Sequence, residues 1–169
     1  AIAAIRDDLE ILVATGANPS RQRNLAAAQA QGQILVFLDS DCRVTEDHFR
    51  RISDHAKAGR EFIGGPALLL APAGKKETLF HGFFANPLVT GPSSARYRSS
   101  GGLRESNDAG LILCNMAVWR KTFLASCGFD ERLYPNEENE WMARLQADGH
   151  ALWYDPDLAV RQKKKKKWG

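Results

Sequence analysis

The chain has 169 residues, enough for a single domain. Hydrophobic residues make up 44% and charged residues 25%, and there are three cysteines, which together exclude a disordered chain and a disulfide-dense miniprotein. The net charge of +3 comes from five consecutive lysines, Lys163–Lys167, without which the chain carries −2. Residues 1–160 therefore read as one slightly acidic domain and residues 161–169 as a basic tail. A block of like charge predicts a solvated tail that could touch an anionic membrane surface, and no nucleic-acid partner is expected.

No apolar run approaches the ~18 residues that a membrane helix needs. The first residues, Ala1 to Asp8, lack the basic start and apolar core of a signal peptide. Cys42, Cys114 and Cys127 have no zinc-site spacing and read as reduced, mostly buried thiols of a cytoplasmic protein. The histidines, at 48, 55, 81 and 150, form no metal-binding pattern.

In chain order, residues 10–15 (Glu-Ile-Leu-Val-Ala-Thr) read as a short buried strand, broken by Gly16-Ala17-Asn18-Pro19. Ser20 is placed to cap a helix from Arg21 to Gln31 that ends at Gly32. Ile34–Leu38 is a second strand. Thr45 then caps a helix with the apolar stripe Phe49, Ile52 and Ala56, closed by Gly59. Residues 62–66 and 67–70 suggest a strand with a break. From Pro72 to Asp108 the serines and glycines predict a long loop region. Leu111–Cys114 reads as a strand, and Asn115 as the cap of a helix through Ala117, Val118, Lys121 and Leu124. Asn136 caps a helix that opens with Glu137, Glu138 and Glu140, buries Trp141 and Leu145, and ends at Gly149. Residues 151–154 form a last strand. Alternating strands and helices predict an α/β fold around a mostly parallel, Rossmann-like sheet.

Two features carry chemistry. Asp39-Ser40-Asp41 follows an apolar strand, and residues two apart on a strand face the same way. Both carboxylates then aim from the carboxyl edge of the sheet, where open α/β sheets bind ligands. Mutually repelling carboxylates are relieved by a hard cation such as Mg²⁺ or Mn²⁺, which prefers oxygen donors and bridges to phosphate. The second feature is Glu137-Glu138, whose carboxylates are either simply stabilised by the helix dipole or placed to deprotonate an acceptor hydroxyl.

In order and spacing, these residues resemble family 2 glycosyltransferases of the GT-A fold. The resemblance runs through Arg23-Asn24, Gly32, the apolar strand ending in Asp39-Ser40-Asp41, Cys114-Asn115-Met116-Ala117, Gly128-Phe129-Asp130-Glu131, Glu137-Glu138 and Tyr154-Asp155-Pro156, and covers about residues 10 to 160. It implies a metal-dependent, inverting transfer of sugar from a nucleotide-diphosphate sugar to the hydroxyl of a glycan or lipid-linked acceptor. Asp41 would be the metal ligand, and Asp39 would contact the metal or the nucleotide sugar. Arg23, Asn24 and Gly65 would bind the donor, and Asn115 and Met116 would line the acceptor side. Glu138 stands at the catalytic-base position, usually Asp, with Glu137 able to share the role. The chain departs from the family pattern at three points. The opening Val-x-Ile-Pro-x-x-Asn strand is absent, so an N-terminally truncated domain is expected. No acid ends the stretch Ile11 to Gly16. Gln162 stands where many members have a metal-binding histidine. The expected location is cytoplasmic, peripheral to the inner membrane face. A non-catalytic, glycosyltransferase-like binding domain is the alternative. An Asp-x-Asp phosphatase is disfavoured because Arg43 stands where that pattern wants Thr or Val.

Overall fold

The structure, a computed structural model, describes residues 9–71 and 73–162. The Lys163–Lys167 block lies outside the described residues, as does the start of the chain. Residues 10–15 form no strand, and Ile11, Leu12 and Val13 are exposed, against the expectation of a buried strand. No strand among the described residues pairs with them.

The first helix, α1, spans Pro19–Gln29. Its cap is Asn18, whose side chain accepts from the Arg21 N–H, with Pro19 pre-set in the first turn. Ser20, expected as the cap, is instead buried one residue inside the helix. Strand β1, Ile34–Leu38, is followed by the short β2, Cys42–Arg43, and by helix α2, His48–Lys57. Strands β3, Phe62–Gly64, and β4, Ala67–Leu69, come next, separated by the expected break at Gly65-Pro66.

The region read as loop contains two helices, α3 over Lys75–Phe84 and α4 over Pro87–Thr90, then a 3-10 turn over Gly91–Arg96 and strand β5, Arg104–Ser106. No residue of α3 is buried, so it shows none of the core-facing periodicity by which a helix is recognised. Strand β6 is Asn115–Trp119, four residues later than expected, and helix α5 begins only at Arg120 and runs to Ala125. Helix α6, Glu137–Ala147, and strands β7, Leu152–Tyr154, and β8, Val160–Gln162, complete the fold.

The main sheet has the order β1-β6-β3-β7-β5. Strands β1, β3 and β7 run the same way, but β6 is inserted antiparallel between β1 and β3, and β5 lies antiparallel on the far edge. Only the β3–β7 pairing is parallel, so the sheet is mixed rather than mostly parallel. A smaller sheet, β2-β8-β4, sets Cys42 opposite Gln162.

Alternation along β1 places helices on both faces. Leu35 and Phe37 pack on one side with Phe123, Phe129, Trp141, Met142 and Leu145, under α1, α5 and α6. Ile34 and Val36 pack on the other with Ile52 of α2, Ile63 and Leu158. Phe123, Phe129 and Trp141 meet pairwise at ring distances of 5.0 to 5.2 Å in edge-on geometry, a contact favoured by the ring quadrupoles. That cluster fixes the start of α6 against the end of β1, which is where the two acidic motifs must meet. Among the described residues no helix is long and apolar enough to cross a membrane.

Candidate functional site

Strand β1 ends at Leu38, and the Asp-x-Asp sits in the turn beyond it, closed by the Cys42 N–H donating to the Asp39 carbonyl at 2.9 Å. The two aspartates thus belong to a turn and not to the strand face expected for them. They remain at its carboxyl edge.

Arg23 on α1 reaches this turn. Its Nη2 lies 3.7 Å from Asp39 Oδ1, and its Nη1 donates to Glu137 Oε1 at 2.9 Å. A single guanidinium therefore joins the Asp-x-Asp turn to the first residue of α6, 98 positions later. Glu137 is 1% exposed, and its second oxygen, Oε2, has no hydrogen-bond partner. A buried carboxylate of this kind is tolerated because a charge faces it.

Glu138, next along the helix, is half-buried, and burial pushes its carboxyl above the usual range, reinforced by the charge of Glu137 and opposed by Arg96 and Arg23. A carboxylate raised in this way is a better proton acceptor than a free glutamate. Glu140 points elsewhere, accepting from Arg144 Nε at 2.9 Å. Arg144 in turn donates to the Ser126 and Gly128 carbonyls, so Glu140 braces the turn that carries Phe129.

On the other side of the Asp-x-Asp turn, Gln162 Nε2 donates to Asp41 Oδ1 at 3.2 Å. The residue expected near the metal position is thus brought to Asp41 by the pairing of β8 with β2. Among the described residues no group of three or more His, Cys, Asp or Glu side chains could hold a metal ion. The oxygens on offer are the carboxylates of Asp39 and Asp41, both hard donors. They suit a cation that keeps waters or phosphate oxygens in its remaining positions.

Other expected site residues serve packing. Asn24 pairs with the backbone of Phe129 in both directions, Nδ2 donating to its carbonyl at 2.8 Å and Oδ1 accepting from its N–H at 2.9 Å. The Arg-Asn and Gly-Phe-Asp-Glu stretches are therefore one structural unit. Asn115 and Met116, expected on the acceptor side, are both buried at 1% exposure. Asn115 Nδ2 donates to the Pro66 and Leu158 carbonyls, and Met116 packs in the main core. Gly65 must be glycine because a Cβ there would run into the Leu158 and Asp155 carbonyls.

Two residues near Glu138 lay in the region read as loop. Arg96 donates to Asn139 Oδ1 at 2.6 Å and to the Asp108 carbonyl, tying the 3-10 turn to α6. Tyr97 is held above its ordinary pKa chiefly by burial, and the charge of Glu138 adds to this. Neither carries a motif; only the helical course of residues 75–96 brings them here.

Residues 3–80 match the family model described as Glycosyl transferase family 2. Three solved structures share the fold. The Staphylococcus aureus TarS 1-349 complex with UDP-GlcNAc matches with a TM-score of 0.61 at 14% identity, over 89% of this chain and 40% of that one. TarS 1-349 alone matches with 0.59 at 13%, over 86% and 40%, and its complex with UDP with 0.59 at 13%, over 88% and 40%. The chain thus spans about two fifths of the length of these structures. No curated protein matches it. Residues 3–80 are thus similar to glycosyl transferase family 2, and the chain shares the α/β fold of these structures.

Proposed function

We propose that the chain is the catalytic part of a metal-dependent, inverting glycosyltransferase that moves a sugar from a nucleotide-diphosphate sugar to a glycan or lipid-linked acceptor hydroxyl. The observation that carries this reading is the Arg23 bridge, which gathers Asp39 and the Glu137–Glu138 pair on one rim at the end of β1. One acidic group in that arrangement serves the donor and the other the acceptor.

Asp41 and Asp39, with the Gln162 amide beside them, would hold Mg²⁺ or Mn²⁺. When bound, that cation supplies charge neutralisation for a diphosphate. Arg23 sits between the donor and acceptor sides and offers a positive charge to the same diphosphate. Glu138 Oε would take the proton of the acceptor hydroxyl as that oxygen attacks the anomeric carbon. Glu137 stays paired with Arg23 and fixes where the guanidinium points. The free thiols Cys42, Cys114 and Cys127 suit a cytoplasmic setting at the inner membrane face.

The UDP named with two of the similar structures makes uridine diphosphate the first nucleotide to test. Calorimetric titration of UDP and GDP, each with and without Mn²⁺, should show binding of one nucleotide only when Mn²⁺ is present. Metal-independent binding, or none to either nucleotide, would count against the reading. The alternative of a binding domain without turnover predicts the same calorimetry but no sugar transfer from the matching donor.

A further inference from the structure

Helices α3 and α4 present apolar side chains that nothing among the described residues covers. Leu79 is 74% exposed, Phe80 58%, Phe83 52% and Leu88 95%. At 100° per residue, Leu79, Phe80 and Phe83 fall within a 100° arc of α3. His81 lies on the other side of the helix, its ring 6.2 Å from that of Tyr97, and Phe84, at the edge of the arc, stands 5.4 Å from the same ring. The apolar arc is therefore an outward face beside these aromatic contacts.

The exposed charge on α3 has one sign. Lys75 and Lys76 open α3 and are exposed. The only acid on the helix, Glu77, is turned back to accept from the Gly74 N–H at 2.9 Å. Exposed phenylalanine and leucine beside a pair of exposed lysines is the composition of an element that lies in the boundary of a bilayer carrying anionic headgroups.

We infer that α3–α4 is a membrane-docking surface. It inserts Leu79, Phe80, Phe83 and Leu88 at the acyl boundary of an anionic bilayer, with Lys75 and Lys76 at the headgroups. This surface stands independently of the transferase reading, since it requires neither metal nor nucleotide.

The test is sedimentation of the 169-residue chain with vesicles of phosphatidylcholine alone and with about 30 mol% phosphatidylglycerol. The chain should bind the anionic vesicles, and Phe80→Ser/Phe83→Ser should weaken that binding roughly tenfold or more. Both side chains are exposed, so the variant keeps its fold, checked by circular dichroism, and keeps whatever nucleotide binding the parent shows. Lys75→Glu/Lys76→Glu should lose the preference for anionic vesicles. Absence of vesicle binding by the parent chain would overturn the inference. So would binding that the phenylalanine substitutions leave unchanged, which assigns it to the lysine block alone. A parent chain that is dimeric in solution, with the phenylalanine variant monomeric, would assign the face to a second copy instead.

Discussion

Arg23 Nη1 lies 2.9 Å from Glu137 Oε1, and Glu137 is sealed from solvent while the arginine is not. The asymmetry gives the pair direction. Glu137 has no other partner, so the guanidinium is its sole compensation among the described residues, whereas Arg23 also faces Asp39.

Removal of the arginine should therefore be costly. Arg23→Ala leaves a buried carboxylate facing nothing, a loss of roughly 3–5 kcal/mol. Arg23→Ala/Glu137→Gln should recover much of it, because the neutral amide needs no counter-charge. Urea denaturation of the wild type, both single variants and the double variant checks this. Strict additivity of the two single effects would mean that the pair is not coupled.

The two glutamates, two residues apart and about 200° around α6 from each other, should separate cleanly. Glu138→Gln preserves shape and leaves Arg23, Asp39 and Asp41 in place, so nucleotide binding should persist while turnover falls roughly 10²-fold or more. Glu140→Gln should leave turnover near normal but lower stability by about 1 kcal/mol, since Arg144 loses its charged partner. Because Glu138 is held above the usual glutamate range by burial, turnover should rise with pH through an apparent pKa above 4.5, and fall off at acid pH as the carboxyl takes up its proton. A pH–rate profile of the wild type shows that limb, and its persistence in Glu138→Gln would assign the titration to another group.

How far the sequence reaches can be seen at particular residues. Ile34–Leu38 was legible to its ends, because five consecutive apolar residues covered on both faces leave no other reading. Helix α6 was legible through its acidic first turn and the Trp141–Leu145 spacing. Asn115 was not. Read as a cap, it lies within β6, because its amide is satisfied by carbonyls of Pro66 and Leu158, 49 and 43 positions away. Helix α3 escaped because its apolar residues face outward, where periodicity gives no link to the core. Residues 10–15 mislead in the opposite sense, being apolar yet unpaired. The Asp-x-Asp, Gln162 and Glu137–Glu138 were each found as single features. Their assembly by Arg23 was not visible, since the 114 positions between Arg23 and Glu137 carry no local signal.

Gln162 offers a gain-of-function test of the proposed metal position. Its amide already touches Asp41 at 3.2 Å. An imidazole in its place is a stronger ligand for Mn²⁺ than a neutral amide. Gln162→His should tighten Mn²⁺-dependent nucleotide binding by roughly tenfold, and Asp41→Ala should abolish it. Calorimetry in Mn²⁺ measures both. Unchanged affinity in Asp41→Ala would remove the metal from this turn.

The last prediction concerns His48, which opens α2 at 1% exposure with neither ring nitrogen hydrogen-bonded. Burial holds its pKa down to about 4 from an ordinary 6.5. The folded protein thus keeps the ring neutral where the unfolded chain has already taken up a proton. The sign follows from that difference. Stability is unaffected above the unfolded value and falls as pH drops from about 6.5 toward 4, by up to about 3 kcal/mol. His48→Leu fills similar space and has nothing to protonate. Its melting temperature should therefore fall less than that of the wild type between pH 7 and pH 5. Differential scanning calorimetry at the two pH values compares the proteins directly. An equal drop in both would mean that the acid sensitivity arises elsewhere, and that the buried ring is reached by water before the protein unfolds.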